Sequence, residues 1–500
     1  MHPSYKVVFF FIAYTMKRIL IAITAILFST SLFAQGSDDA CLFSQTYYQG
    51  TAKSLGMANA LGAVGGDMTA ICINPAGMGL YRSNEFTTTI NLLHNQYNDN
   101  YYGENTNAGK FRVTMPNIGY VGVKERSNYR KLRFTQFGIG LTRTNEFNSH
   151  THAQGINTTS SKIDDYLNQI DGYYPNELQE HFPFTVFPAW QTYLIDIYQD
   201  SLGDYYSSPV PQGGIWQSQD NRFKGRAEEW TFAGSANYGD CLFIGGSIGL
   251  AHIKREGTRC FEEWMPDNSS TVTDFQRWRF EEFLSSSAWG INLKLGFIAH
   301  LNHWMRIGAS FHSPTLYNFS ETWQTETESR ISQVVQKSIS LESHYEYSFV
   351  SPLKCIASTA FVIGHYGLVS LDAEYTNFGA ARFKADDYDY SVTNQTTKAT
   401  YGHTLNFRLG SEWRMDGFYL RAGGAYYGSP YGFGKNEGSV KKANLGVSLP
   451  VSESTTFDFA YELTFGKDRF TLYNAGELGI EAVTQRQIKN NLAATLRMRF

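Results

Sequence analysis

Residues 404–414 read TLNFRLGSEWR, a stretch in which apolar and polar side chains alternate. Leu405 and Phe407 belong to one set, and Asn406 and Arg408 belong to the other. Successive side chains of a β-strand point to opposite faces of the sheet, so this stretch predicts a strand with one apolar and one charged face. Residues in 455–465, 289–299 and 488–500 alternate in the same way.

Both a soluble β-sandwich and a membrane β-barrel contain strands that alternate like this, and strand length separates the two. The alternating segments run to about ten residues or more, the length that spans a bilayer when tilted, whereas strands in soluble proteins average about five or six. Short turns also alternate with long polar segments, and they fall at residues 238–240, 301–303, 365–367, 415–417 and 450–452. Such asymmetry is typical of outer-membrane barrels, because only a closed barrel satisfies the backbone of membrane-spanning strands.

The alternation predicts an all-β, fourteen-stranded antiparallel transmembrane β-barrel, the even number expected of a single-chain bacterial barrel. The predicted strands are 85–94, 111–124, 133–147, 226–238, 241–255, 286–300, 303–320, 344–363, 367–381, 402–414, 417–427, 440–449, 454–467 and 488–500. Pro116 falls in the second strand, where it predicts a bulge, a kink or a strand end because proline cannot donate to the ladder. Fourteen strands leave a wide lumen, so the barrel is either plugged or a porin.

Composition excludes other classes. The chain has 500 residues and a formal net charge of −4, with 15% aromatic and only 18% charged residues, against about 25% charged in ordinary soluble domains. The mean hydropathy of −0.32 is too polar for a bundle of membrane helices. The balanced charge, without a basic block, argues against nucleic acid as a partner.

The first 34 residues resemble a secretory leader. Met16, Lys17 and Arg18 precede an apolar run that ends at Phe33, and Ala34 provides a small residue for cleavage. We predict a signal peptide over 1–34, with a start codon at Met16. A signal anchor that begins at residue 7 is the alternative, although Lys17 and Arg18 interrupt it.

Signatures of catalysis and of metal binding are missing from the sequence. The five cysteines are odd in number and lack CxxC spacing, which disfavours a disulfide framework and a zinc site. His150 and His152 are better read as solvated loop residues than as metal ligands. Ser310 and His312 share a strand face, but no acid partner or oxyanion site accompanies them. We therefore expect no enzyme activity, no metal and no cofactor.

Residues 50–82 are rich in small side chains and poor in charge. The stretch from Ala52 to Ala63 predicts a short helix, and 74–77 (NPAG) predicts a turn, since proline fixes φ and glycine allows positive φ. A segment of this kind before the first strand would fit inside the barrel as a plug.

These motifs resemble the FadL/TodX family of outer-membrane transport proteins. The resemblance lies in SLGMANA at 54–60, the following Gly-Asp, and NPAGM at 74–78. It implies a barrel plugged by an N-terminal hatch over 35–82, and passage of long-chain fatty acids or aromatic hydrocarbons. We assign the hatch and gate to Asn74, Pro75, Ala76, Gly77, Gly65, Gly66 and Asp67.

A second set of residues is similar to the Bacteroidetes branch of that family. It consists of GIGL at 138–141 with NEF at 145–147, at the third strand. The chain departs from the better-known fatty-acid transporters in its long 148–225 segment, which we expect to be an extracellular loop of the 83–500 barrel. The ligand therefore stays open.

That loop contains an aromatic cluster. Phe182, Phe184, Phe187 and Trp190 suggest a docking groove for a hydrophobic ligand, because apolar clusters are unusual in exposed loops. The alternative is that the loop folds on itself and uses these rings as its own core.

Charged side chains on the polar strand faces would line the lumen. They are Arg306, Asp372, Glu374, Arg408, Glu412, Arg421, Asp458, Glu462, Arg497 and Arg499. An unpaired arginine would suit a carboxylate ligand, but the mixed signs favour pairing across strands.

The leading hypothesis is passive outer-membrane transport of hydrophobic molecules in a Gram-negative bacterium. Ligand would pass from the loop to the lumen beside the hatch, and leave by a change around residues 74–76 or through a wall gap near Pro116. The alternatives are an adhesive or structural barrel and a general porin. Expected partners are the ligand, outer-membrane lipid and lipopolysaccharide, and the assembly machinery, which would read the terminal Phe500.

Overall fold

The computed structural model describes residues 36–126, 131–200, 203–267, 274–434, 437–474, 476 and 478–500. The predicted signal peptide lies outside these residues. Fourteen antiparallel strands form one closed barrel, which confirms the predicted fold class and strand number. Each strand pairs with the next in the chain, and the last pairs with the first, which closes the wall.

Several strands extend well beyond the predicted bounds, whereas the strand predicted over 367–381 ends at Asn377. The strands are β1 Glu85–Tyr101, β2 Glu104–Glu125, β3 Leu132–Glu146, β4 Ile215–Tyr238, β5 Leu242–Trp264, β6 Phe275–His300, β7a Met305–His312, β7b Leu316–Ile331, β8a Ser343–Val350, β8b Lys354–Ile363, β9 Gly367–Asn377, β10 His403–Met415, β11 Phe418–Tyr427, β12 Val440–Pro450, β13 Thr455–Phe470 and β14 Val483–Arg499. Strands β4, β5 and β6 have 24, 23 and 26 residues, more than the roughly ten that cross a bilayer. They therefore project beyond it on the side of the long loops.

The outer and inner faces of the wall differ in polarity, as the alternation predicts. Large apolar side chains are exposed on the outer face of many strands, among them Ile90, Phe232, Ile248, Leu293, Leu409, Phe459 and Leu492. An apolar surface on this scale is unusual for a protein in water and is what a transmembrane barrel presents to lipid. The lumen face is polar.

Two neighbouring strands are interrupted at the same level. The predicted strands 303–320 and 344–363 divide at Pro314 and Pro352, because proline cannot donate to a ladder. Side chains and shifted backbone bonds close the break: Ser351 donates its N–H to the Thr315 carbonyl at 3.0 Å and accepts the Thr315 N–H on its Oγ at 2.9 Å. The wall remains continuous there.

Four short helical elements precede the barrel: helices α1 Ser37–Ser44, α2 Ala52–Gly56 and α3 Ala70–Ile73, and a 3-10 helix at Pro75–Leu80. The predicted helix over 52–63 ends early, at Gly56. Its continuation is excluded because Ala58 and Asn59 have φ values of 52° and 60°, in the left-handed region. Among the described residues, no helix combines the length and the apolar character needed to cross a membrane.

The 148–225 segment is partly strand. Residues Ser149–Asn157 form a short strand that pairs with the upper part of β4 over 215–223. Between them lie helices Lys162–Gln169, Leu178–His181 and Val186–Gln191, a 3-10 turn at Pro175–Glu177, and a hairpin of Asp196–Asp200 with Gly203–Ser207. Other loops hold Val334–Ile339, Phe378–Ala380, Arg382–Lys384 and the helix Ser391–Thr400.

Candidate functional site

The segment from Thr51 to Leu80, here called the lumen segment, lies inside the barrel and contacts its wall on several sides. The Ala52 N–H donates to Thr495 Oγ1 of β14 at 2.7 Å, and the Gly62 N–H donates to Asp372 Oδ2 of β9 at 3.1 Å. Leu55, Met57, Leu61, Ile71 and Ile73 are fully buried. Burying such side chains contributes about 1.5–3 kcal/mol each, so the segment is firmly held.

Asn74 joins the lumen segment to the wall. Its Nδ2 donates to the Gly62 carbonyl at 2.8 Å and to the Phe297 carbonyl of β6 at 3.0 Å, while its Oδ1 accepts the Ala76 N–H at 3.1 Å. Pro75 then starts the 3-10 helix, where its missing N–H costs nothing. The wall approaches closely here, because a Cβ on Gly245 of β5 would stand 2.5 Å from the Pro75 carbonyl.

Gly65, Gly66 and Asp67 pack beside that turn. Gly65 and Gly66 have φ values of 60° and 63°, and the Gly66 N–H donates to the Gly77 carbonyl at 2.9 Å. A Cβ on Gly65 would lie 2.6 Å from the same carbonyl oxygen, so only glycine fits. Asp67 is fully buried, and its Oδ2 accepts a hydrogen bond from the Thr51 hydroxyl at 2.7 Å. The seven residues assigned to the hatch from sequence thus pack together, and all but Gly66 are buried.

Ser310 and His312 bind the lumen segment. The Ser310 hydroxyl and His312 Nε2 both donate to the Ile73 carbonyl, at 2.7 and 2.9 Å. Sequence reasoning placed them on one face of a strand without a role. The shared acceptor gives both side chains a structural role, which is to hold the lumen segment against β7a.

Most of the predicted lumen charges are paired. Arg408 contacts Glu374 at 2.9 Å, Arg421 contacts Glu412 at 2.7 Å and Asp458 at 3.3 Å, Arg497 contacts Asp458, Lys442 contacts Glu462 at 3.0 Å, and Arg499 contacts Glu85 at 2.9 Å. Asp372 lies 3.8 Å from Arg408. Arg306 has no such partner among the described residues. Pairing across strands, the alternative to ligand binding, therefore accounts for nearly all of the set.

A cavity of about 540 Å³ lies above the lumen segment, between α1 and the upper strands. Its wall includes Tyr97, Glu146, Phe223, Arg255, Tyr431 and Lys489. Asp39 of α1 lies 3.5 Å from Arg255. Burial raises the pKa of Asp39, and Arg255 opposes that rise. Burial likewise raises the pKa of Tyr47, another lining residue, so its hydroxyl stays neutral.

Aromatic side chains pack around α1 beside the cavity. Phe43 of α1 packs with ring centroids 4.7 Å from Phe319 of β7b, 6.3 Å from Phe349 of β8a and 6.1 Å from Phe147. Tyr347 stacks on Phe319 at 5.0 Å. This cluster holds α1 against the wall, and Phe147 also lines the cavity.

The wall beside the cavity lacks a complete ladder. Strand β2 pairs with β3 only over 117–125, and among the described residues its upper part, 104–116, pairs with β1 alone. Pro116 lies at a register shift in the β1–β2 ladder, directly below this unpaired edge. We call the boundary between β2 104–116 and residues 147–157 the lateral seam.

Side chains of the β1–β2 hairpin reach across the lateral seam to Asn148 and to β4 behind it. Arg112 donates to Asn148 Oδ1, and Lys110 donates to the Phe223 carbonyl at 3.4 Å. Asn95 Nδ2 donates to the Asn148 carbonyl at 2.8 Å. Since residues 145–149 also line the cavity, the cavity and the lateral seam adjoin.

The predicted docking residues are packed within the 158–214 loop. Phe184 is buried, with its ring 4.4 Å from Trp323 of β7b. Phe182, Phe187 and Trp190 are partly buried against the core that the loop forms with the upper strands. The structure thus gives these rings a packing role in the loop.

A buried carboxylate anchors this loop. Glu263 at the top of β5 accepts hydrogen bonds from Ser161 Oγ at 2.6 Å, the Lys162 N–H at 2.9 Å, Gln217 Nε2 at 2.7 Å and Trp278 Nε1 at 2.6 Å. Burial lowers the pKa of the Lys162 ammonium, which lies 4.4 Å from the centre of the Phe280 ring. No sequence signal marked this network, because its members lie far apart in the chain.

Two remaining candidates have ordinary contacts. His150 Nε2 lies 3.0 Å from Asp220, and in the described part of the chain no group of three or more His, Cys, Asp or Glu residues could hold a metal. Phe500 is exposed at the short-turn end, where its ring stacks on Tyr120 at 6.0 Å.

Comparison with solved structures finds proteins of similar architecture. TodX, a toluene transporter of Pseudomonas putida, is similar with a TM-score of 0.55 and 13% identity, over 90% of this chain and 98% of TodX. A Pseudomonas aeruginosa FadL homologue is similar with a TM-score of 0.54 and 12% identity, over 91% of this chain and 98% of the homologue. The chain has the fold of the FadL and TodX structures. No family model matches the sequence, and no curated protein matches it.

Proposed function

We propose that this chain is a FadL/TodX-type outer-membrane protein of a Gram-negative bacterium that carries hydrophobic small molecules passively. The observation that carries the proposal is the contact between the upper cavity and the lateral seam. The likeness in fold to a toluene transporter supports the class of cargo. The apolar outer face of the wall supports the location in a membrane.

The proposed route leads from the long-loop end into the cavity and then sideways through the lateral seam. An apolar molecule gains free energy by entering the bilayer directly instead of crossing water. The seam suits such an exit because no backbone ladder has to break. Only side-chain bridges such as Arg112–Asn148 and Asn95–Asn148 have to move.

The lumen segment acts in this proposal as the hatch. It fills the lower lumen and is fixed through Asn74, Gly65 and Asp67, which disfavours a general porin. Movement of the turn at 74–77 would change the floor of the cavity. The loop rings Phe187 and Trp190 would form the first contact for ligand, since both are only partly buried.

The test is uptake by a Gram-negative host that lacks its own fatty-acid transporter. Radiolabelled oleic acid, toluene and a polar disaccharide are compared in cells with the wild type, Asn74→Ala/Pro75→Ala, or no protein. We expect the wild type to raise uptake of oleic acid or toluene but not of the disaccharide, and the double variant to lose that gain.

Asn98→Ala, on the outer face of β1, serves as the matched control, and surface amounts are equalised. Disaccharide uptake through the wild type would support a porin and contradict the proposal. If cells with the wild type take up neither hydrophobic probe, the proposed class of cargo is contradicted.

A further inference from the structure

Lys489 of β14 is a cation that faces the cavity without a counter-ion. Its register partners are Asn95 of β1 and Thr464 of β13, both buried on the lumen face. It lines the cavity. In the described part of the chain, its ammonium makes no hydrogen bond and no ion pair. Lys442, on the lumen face of β12 two strands away, is bound to Glu462 at 3.0 Å.

The carboxylates around Lys489 are engaged elsewhere. Glu146, which also lines the cavity, pairs through Oε2 with Arg143 at 2.8 Å, and its Oε1 has no hydrogen-bond partner among the described residues. Glu462 is taken by Lys442 and by Asn444 Nδ2 at 3.1 Å. A lumen-facing cation left without a protein anion is available to an anionic group that enters the cavity.

A second donor stands next to Lys489. Gln487 donates its Nε2–H to the Tyr97 hydroxyl oxygen, which leaves the Tyr97 O–H proton to donate in turn. That proton meets no acceptor among the described residues. Tyr97 is the register partner of Gln487, is 7% exposed and lines the same cavity. An ammonium and a buried hydroxyl therefore present donors side by side.

We propose that Lys489 and Tyr97 bind the carboxylate of an amphiphilic cargo, and that the protein thereby prefers long-chain carboxylic acids to neutral hydrocarbons. This inference rests on the proposed transport function. The carboxylate accepts one bond from each donor, which are charge-assisted bonds and stronger than neutral ones. The rings of Phe223 and Tyr431 and the adjoining lateral seam accommodate the alkyl chain.

The test measures equilibrium binding of radiolabelled oleic acid and of oleyl alcohol to the full-length protein in lipid nanodiscs. The two ligands differ only in the head group. In the wild type we expect the acid to bind about 10- to 100-fold more tightly than the alcohol, the range of a hydrogen bond to a charged group.

Lys489→Met keeps the length of the side chain and removes its charge. We expect it to weaken acid binding about 10- to 100-fold and to change alcohol binding less than about twofold. Tyr97→Phe should weaken acid binding by a smaller factor, and Lys489→Arg should restore most of it. Lys441→Met, at an exposed position one residue away from Lys442, is the matched control and should change neither ligand. Heat-modified gel mobility confirms that each variant forms the barrel.

The outcomes separate this inference from the function on which it rests. A wild type that binds acid and alcohol equally, or a Lys489→Met protein that retains the preference for the acid, overturns the carboxylate site and leaves hydrophobic transport standing. A wild type that binds neither ligand overturns both proposals.

Discussion

The barrel has two boundaries that flank the hairpin of β1 and β2, and they are sealed differently. Where β14 meets β1, sixteen residue pairs run without a break from Glu85–Arg499 to Asn100–Thr484. Where β2 meets β3, only nine pairs form, from Asn117–Thr142 to Glu125–Phe134. Above Asn117 the second boundary becomes the lateral seam.

The difference does not come from the pattern of apolar residues. Phe111, Val113 and Met115 face outward on the unpaired part of β2, and their side chains are 63%, 60% and 51% exposed. Ile90 and Leu92, on the sealed side of the hairpin, are 55% and 39% exposed. Both sides therefore present apolar side chains. The interruption coincides with Pro116 and the register shift around it. Backbone chemistry thus opens the ladder, while the outer face stays compatible with lipid.

The largest effect is expected from removing the charged bridges of the lateral seam. Lys110→Met/Arg112→Met deletes two donors to residues on the other side, and each hydrogen bond to a charged group contributes about 1.5–3 kcal/mol. Amide exchange over residues 149–157 should therefore accelerate about 10- to 100-fold. Hydrogen exchange with mass spectrometry measures this.

The control for that variant is Arg486→Met, on the outer face of the sealed boundary. It should leave exchange over 85–100 and 484–499 unchanged. Equal acceleration at both boundaries would show that the lateral seam has no special weakness.

A smaller effect is expected at Asn117, the last paired residue of β2 below the lateral seam. Asn117 is buried and donates to Thr142 Oγ1 at 2.9 Å. Asn117→Ala should lower the free energy of unfolding by about 1–2 kcal/mol, because the bond is lost. Asn491→Ala at the sealed boundary should cost less than about 0.5 kcal/mol, since the Asn491 side chain has no hydrogen-bond partner among the described residues. Urea unfolding in lipid vesicles measures the free energy of unfolding of both variants. A larger loss for Asn491→Ala than for Asn117→Ala would contradict the role given to the Asn117 hydrogen bond.

The smallest effect is expected at Pro116. Pro116→Ala restores one N–H donor next to the unpaired edge, so the ladder can extend by one bond, and uptake of oleic acid should fall by about twofold. Pro450→Ala, at the exposed end of β12, is the control and should leave uptake unchanged. A rise in uptake through Pro116→Ala would argue against the ladder break as the exit.

The strand number and the lumen face could be predicted because they depend on side-chain alternation, which local sequence contains. Strand length could not, since the upper halves of β4, β5 and β6 are stabilised by contacts with the 158–214 loop, as at Glu263. The breaks at Pro314 and Pro352 align only once the register of two strands is known.

The candidate site was predictable only in part. The NPAG turn and the glycines at 65 and 66 have backbone requirements that the sequence displays. Lys489 has no such requirement. What distinguishes it is that the carboxylates near it pair with other cations, and one of them, Glu146, lies more than 300 residues away in the chain. The lateral seam likewise reflects pairing between strands.

The most direct test of lateral exit is to lock the lateral seam. The variant carries Arg112→Cys and Asn148→Cys in a Cys241→Ser/Cys355→Ser background. A short reducible bis-thiosulfonate then cross-links the two introduced thiols. Gln96→Cys/Ile488→Cys, a register pair on the outer face of the sealed boundary, is the matched control. Oleic acid uptake is measured before cross-linking, after it and after reduction.

Lateral exit predicts that locking the lateral seam lowers uptake about tenfold or more, as for a closed gate. Reduction should restore it, and the control pair should show no change. Full cross-linking of Arg112→Cys/Asn148→Cys with undiminished uptake would contradict the lateral route.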